Sequence, residues 1–100
     1  MSTVVVRYRT KADRADENQQ LVEKVFAELA ETRPAGFRYL ALRLGDGNSF
    51  VHIATELEEH GSSLAEVPAF QAFVAGIAHR CEEPPQPISA RVIASYGIAE

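Results

Sequence analysis

The order of hydrophobic patterns constrains this chain most: strand, helix, strand, strand, helix, strand, fitted into 100 residues with almost nothing left over. From Thr3 to Arg9, β-branched residues and a two-residue alternation argue a half-buried strand, with Val4, Val6 and Tyr8 on one face. Asp13 as a cap, with Asp16 completing a capping box, would start a helix whose Leu21, Val22, Val25, Phe26 and Leu29 recur at helical spacing. Pro34-Ala35-Gly36 stops it, because proline lacks the N–H that the helix needs and glycine accepts the positive φ of a C-terminal turn.

A hairpin follows. Phe37 to Leu44 and Asn48 to Glu56 carry strand-like residues, and Asp46-Gly47 between them suits a primed two-residue turn. Pairing Leu44 with Ser49 sets Leu42 against Val51 and Leu40 against Ile53, leaving Tyr39, Ala41, Arg43, Phe50, His52 and Ala54 on the other face. The aliphatic face is expected to meet the helices, and the mixed face to be bare. Ser63 with Glu66 can cap a short turn, and Pro68 suits a first helical position, from which Phe70, Phe73, Val74, Ile77 and Cys81 form an apolar stripe. Glu82 to Pro87, with three prolines, reads as an extended connector, and Ile88 to Ile98 as a long last strand.

Residues 1–100 therefore read as one α+β domain of order βαββαβ. A domain this small buries only about 60–70% of its unfolded surface, so oligomerisation would help it. The net charge of −4 and the absence of a basic stripe argue against a nucleic-acid partner. There is no signal-peptide run, no apolar span approaching the roughly 20 residues of a membrane helix, and a single cysteine, from which a cytoplasmic protein without an internal disulfide is expected.

The βαββαβ order, the hairpin ending in Phe50-Val51-His52-Ile53, and the Val67-Pro68-Ala69-Phe70-Gln71-Ala72-Phe73 helix start before a long last strand resemble the antibiotic-biosynthesis-monooxygenase-like (ABM-like) group of dimeric α+β barrels. The resemblance covers nearly the whole chain. It implies a ferredoxin-like, four-stranded antiparallel sheet with two helices on one face, and two such sheets packed into a barrel. Val5, Phe37, Tyr39, Phe50 and Ile93, taken to lie on the uncovered side, support a homodimer independently, since an apolar sheet face must be covered by something.

The oxygenase and haem-degrading branches of that group carry a tryptophan before the second long helix, an asparagine on the first strand and a histidine one turn into the helix. Here the tryptophan position falls near Leu64, the histidine position on Val74, and the strand Val4 to Thr10 has no asparagine. That argues against haem and leaves an oxygenase to rely on substrate activation in a dry pocket.

Three residues are the candidate proton-handling groups: Tyr8, His52 and Tyr39. His52 could act as a general base near neutral pH, with Tyr39 donating to it and Arg43 holding an anionic substrate; otherwise it is a histidine hydrogen-bonded within the dimer interface. His79 reads as exposed, in the last turn of its helix. Cys81 reads as a buried small hydrophobe. Glu58, Glu59 and His60 match no zinc spacing, and Gly45-Asp46-Gly47 lacks the helix of a phosphate loop, so no metal and no cofactor are expected.

Phe26, Leu42, Phe70, Phe73 and Ile77 are the candidate substrate pocket between sheet and helices, a space that would take an apolar or aromatic molecule unless it is simply filled core. Two functions stand open: a small-molecule enzyme, such as a cofactor-independent monooxygenase on an apolar or aromatic substrate, and a non-catalytic dimeric binding or accessory module.

Overall fold

A computed structural model describes residues 2–57 and 63–97. Strand β1 (Ser2–Thr10) leads through a 3-10 turn (Ala12–Arg14) into helix α1 (Ala15–Thr32); β2 (Phe37–Arg43) and β3 (Ser49–Glu56) form a hairpin. A second 3-10 turn (Leu64–Glu66), helix α2 (Pro68–Ala75) and the single turn α3 (Ile77–Arg80) precede β4 (Cys81–Ala90). The sheet is antiparallel in the order β2-β3-β1-β4, with the helices packed on one face, as in a ferredoxin-like fold.

The expected capping box does not form. The chain closes the first 3-10 turn with Arg14 N–H donating to the Lys11 carbonyl at 2.9 Å, so Asp13 lies inside a turn, and Asp16 instead accepts from Arg43. At the other end Arg33 takes a left-handed conformation (φ 47°) and its N–H donates to the Leu29 carbonyl, a C-terminal cap that Pro34 makes final. Ser63 does cap its short turn, accepting from Ala65 N–H at 3.2 Å, and Pro68 is in the first turn of α2.

The hairpin has the expected register, Leu40 opposite Ile53 and Leu42 opposite Val51, but a different turn makes it. Of the turn residues 45–48 only Gly47 has positive φ (85°), which rules out a primed pair. Gly47 N–H closes a turn onto the Leu44 carbonyl, and the Asp46 carboxylate accepts from the backbone of Asn48 and Ser49 and from the Ser49 hydroxyl. Those three bonds stabilise the ionised form and hold the Asp46 carboxyl at about 2.

The two faces of the hairpin are assigned the other way round from the sequence expectation. β1 pairs with β3 so that Val6 is opposite His52 and Tyr8 opposite Phe50, which puts Tyr39, Ala41, Phe50 and His52 under the helices together with Val6 and Tyr8. Leu40, Leu42, Val51 and Ile53 face the bare side with Val5 and Ile88, and Leu40, Leu42 and Ile88 are exposed. Aromatic rings fill the deeper space beneath the helices, where their polar tips also find partners. Only Val5, of the residues taken to be uncovered strand positions, lies on the bare face; Phe37, Tyr39 and Phe50 do not, and Ile93 lies beyond the last strand.

The last strand is also displaced. The proline-rich segment is itself β4, an edge strand paired to β1 alone, where prolines need not donate to a neighbour. Residues 91–95 follow without regular structure, so the expected strand from Ile88 does not extend through them; Ile98, like Glu58, Glu59 and His60, lies outside the described residues. Cys81 is buried at the start of β4 rather than on a helix, and His79 is exposed in α3.

Candidate functional site

α1, α2, α3 and the helix-facing side of the sheet enclose a chain of hydrogen-bonded side chains. The Tyr8 hydroxyl lies 2.8 Å from His52 Nε2, and the Tyr39 hydroxyl is hydrogen-bonded to His52 Nδ1. Asn18 Nδ2 donates to the Tyr8 hydroxyl at 2.8 Å, and Arg80 Nε donates to Asn18 Oδ1 at 3.1 Å. Arg80 Nη2 donates to the Phe73 carbonyl at 2.7 Å, and its guanidinium lies over the Phe73 ring. Tyr8, Asn18, His52 and Arg80 are all buried, and Tyr39 is half-buried.

Stacked rings bracket this chain. Phe50 stacks on Tyr8 (centroids 5.3 Å apart), Phe26 stacks on Tyr39 (4.9 Å) and Phe73 stacks on His52 (5.4 Å). A cavity of about 170 Å³ opens beside it, walled by Tyr8, Tyr39, His52, Phe70, Phe73 and Ile77, and reaching the surface at Val74, which is 44% exposed. The candidate proton-handling residues and three of the five candidate pocket residues thus meet in one place. Leu42 does not belong there: it is on the other face of the sheet, and with Phe26 it borders a separate groove of about 350 Å³ between α1 and the β2 edge. Arg43 is likewise outside the cavity, bonded to Gly47, Asp16 and Gln19.

Burial governs the electrostatics. It pushes both phenols, Tyr8 and Tyr39, well above the ordinary tyrosine range, and it lowers His52 to about 4. His52 is therefore neutral near neutral pH, with one N–H and one lone pair, and links two phenols instead of serving as a free base. This departs from the expected base titrating near neutrality, because the imidazole is buried under the helices.

A stability consequence follows. The unfolded chain takes up a proton on His52 near 6.5 while the folded chain resists until about 4, so between these values the unfolded state binds more protons. Stability should be complete above about pH 6.5 and fall by about 3 kcal/mol as the pH drops to about 4. Urea denaturation across that interval measures it, and His52→Gln should flatten the slope.

Asn18 and Arg80 lie outside the sequence-based candidates, yet both fall at helical spacing with apolar residues: Asn18 with Val22, Val25 and Leu29, and Arg80 with Phe73 and Ile77. A polar residue in such a stripe signals a buried hydrogen-bonding group. Among the described residues no group of His, Cys, Asp or Glu could hold a metal.

The fold is that of the ABM-like proteins. Across 99% of this chain and 94% of the other it superposes, at a TM-score of 0.79 and 14% identity, on a candidate antibiotic biosynthesis monooxygenase from Bacteroides thetaiotaomicron. A protein of unknown function from Nitrosomonas europaea gives 0.76 at 17% identity, covering 99% and 95% of the two chains. SnoaB from Streptomyces nogalater, a cofactor-independent oxygenase seen in a single-residue variant, gives 0.68 at 19% identity over 97% of each chain. No protein-family model matches this chain, and no curated protein does.

Proposed function

We propose that this protein is a small-molecule oxygenase that needs no flavin, nicotinamide, haem or metal and acts on an apolar or aromatic substrate in the helix-side cavity. The observation that carries this reading is the cavity itself: apolar walls, with polarity confined to Tyr8, His52 and Tyr39, on a fold shared with SnoaB. Such walls exclude water and leave proton transfer to a few placed groups. With no external reductant the electrons must come from the substrate. An activated CH₂ carbon would take one oxygen atom of O₂ to become a carbonyl, and the other oxygen would leave as water with both hydrogens.

The test is oxygen uptake by the purified protein with single-ring enols and hydroquinones in chelator-treated buffer without added cofactor. Uptake with one oxygen atom from labelled O₂ in the product supports the reading. A protein that binds these compounds but consumes no oxygen would be a binding module.

The bare sheet face fits a second copy of this chain. Val5, Leu40, Leu42, Val51, Ile53 and Ile88 form a continuous aliphatic surface, and Val92, Ile93 and Tyr96 beyond β4 are exposed beside it in sequence. Light scattering should give twice 11.0 kDa, and Leu42→Lys should shift the particle to the single-chain mass by burying an unpaired charge. A wild-type protein of 11.0 kDa at micromolar concentration would defeat the dimer. No helix among the described residues is long and apolar enough to cross a membrane, and the free, buried Cys81 suits the cytoplasm.

A further inference from the structure

The hydrogen-bond chain has a direction, and its two ends decide what the cavity can hold. A guanidinium only donates, so the Asn18 atom facing Arg80 Nε must be Oδ1 and the atom facing Tyr8 must be the amide nitrogen, also a donor. The Tyr8 oxygen therefore accepts from Asn18. Two arrangements of the remaining protons are then possible. Either Tyr8 O–H donates to His52 Nε2, His52 Nδ1–H donates to Tyr39 and the Tyr39 O–H is left over, or every bond beyond Tyr8 runs the other way and the Tyr8 O–H is left over.

Residue exposure favours the first. Tyr8 is 2% exposed whereas Tyr39 is half-buried, and an unpaired hydroxyl costs more the deeper it lies. Every donor from Arg80 onward then points the same way, ending in a Tyr39 O–H available at the cavity wall. Behind the chain, Arg80 is 4% exposed and has no carboxylate partner among the described residues. A buried, uncompensated cation and a line of donors both favour negative charge at the far end.

Size supplies the other restriction. A cavity of roughly 150 Å³ holds a benzene, so about 170 Å³ has room for one ring.

Resting on the oxygenase reading for its place but not for its test, we propose that the cavity takes a single-ring phenol or enol as its oxyanion, on the Tyr39 hydroxyl. Arg80 and Asn18 are positioning residues that set the direction of the chain. Asn18→Asp is the sharpest probe, being nearly isosteric. The new carboxylate still accepts from Arg80 but can no longer donate to Tyr8, so Tyr8 O–H turns toward it, His52 must carry its proton on Nε2, and Tyr39 O–H turns from the cavity to Nδ1.

The measurements are His52 ring-nitrogen NMR shifts and anaerobic binding of para-nitrophenolate, with nitrobenzene as the ring that carries no oxyanion. Wild type should show the Nδ1–H tautomer and bind para-nitrophenolate at least about tenfold more tightly than nitrobenzene, as expected for one charge-assisted hydrogen bond. Asn18→Asp should show Nε2–H and lose that preference, and Tyr39→Phe should lose the preference while nitrobenzene binding persists. A wild-type Nε2–H tautomer, or an undiminished phenolate preference in Tyr39→Phe, would overturn the proposal. Should Asn18→Asp not fold, the wild-type tautomer and Tyr39→Phe still decide it. Because no oxygen is present, a negative result here is separate from a failure of oxygen uptake.

Discussion

Phe73→Ala is expected to cost about 3–5 kcal/mol of folding stability, the range for truncating a buried phenylalanine. Phe73 is 3% exposed, stacks on His52 with ring planes 17° apart and lies 6.4 Å from the Tyr8 ring. Its ring also carries the Arg80 guanidinium, 5.3 Å from the centroid. Alanine would remove the ring that packs on His52, Tyr8 and Arg80 and join the vacated volume to the neighbouring cavity, so the site would not collapse to recover the loss. Domains of this size have only about 5–15 kcal/mol in total, and the melting temperature should fall by at least about 12 °C. Calorimetry at fixed protein concentration tests this, since a dimer makes the midpoint concentration-dependent. A loss below about 1 kcal/mol would mean that Phe73 does not pack as described.

The same residue is legible in the sequence. Phe73 declares itself by helical spacing, and Pro68 marks where its helix begins, so a local pattern was enough. The hairpin register was also local: few residues separate Leu44 from Ser49, and the turn ties them. The face was not. A period of two sorts Leu40 from Tyr39 but is silent on which set lies inside, and what decides is pairing across the sheet, Val6 with His52 and Tyr8 with Phe50. Counting aliphatic residues favours the wrong side because the bare face is the more aliphatic one. Tyr8 falls on the helix side, as its sharing of a strand face with Val4 and Val6 predicts; Arg80, which reaches it only through Asn18, comes from a distant segment, and no spacing rule joins position 8 to position 80.

The edge strand is hard to read from sequence for a related reason. Proline signals a connector because it withholds an N–H, yet a strand with one neighbour needs donors on one side only. Pro84, Pro85 and Pro87 therefore permit β4 while discouraging a further strand from pairing there.

Tyr8→Phe should slow any turnover in the cavity by about 10²–10⁴-fold, the usual contribution of a placed proton-transfer group. The ring stays, and with it the stacking on Phe50, so the change is confined to one hydroxyl. That hydroxyl links Asn18 to His52, and without it Asn18 Nδ2 and His52 Nε2 are both left unpartnered in a buried space. The stability cost should be about 1–3 kcal/mol for each such group, so rates must be compared well below the variant's melting temperature. His79→Ala provides the contrast, because His79 is exposed and outside the cavity wall. An activity that survives Tyr8→Phe but is lost in His79→Ala would move the site to the outer surface of the helices; loss in Tyr8→Phe alone, with the fold retained, assigns proton handling to the chain that runs from Arg80 to Tyr39.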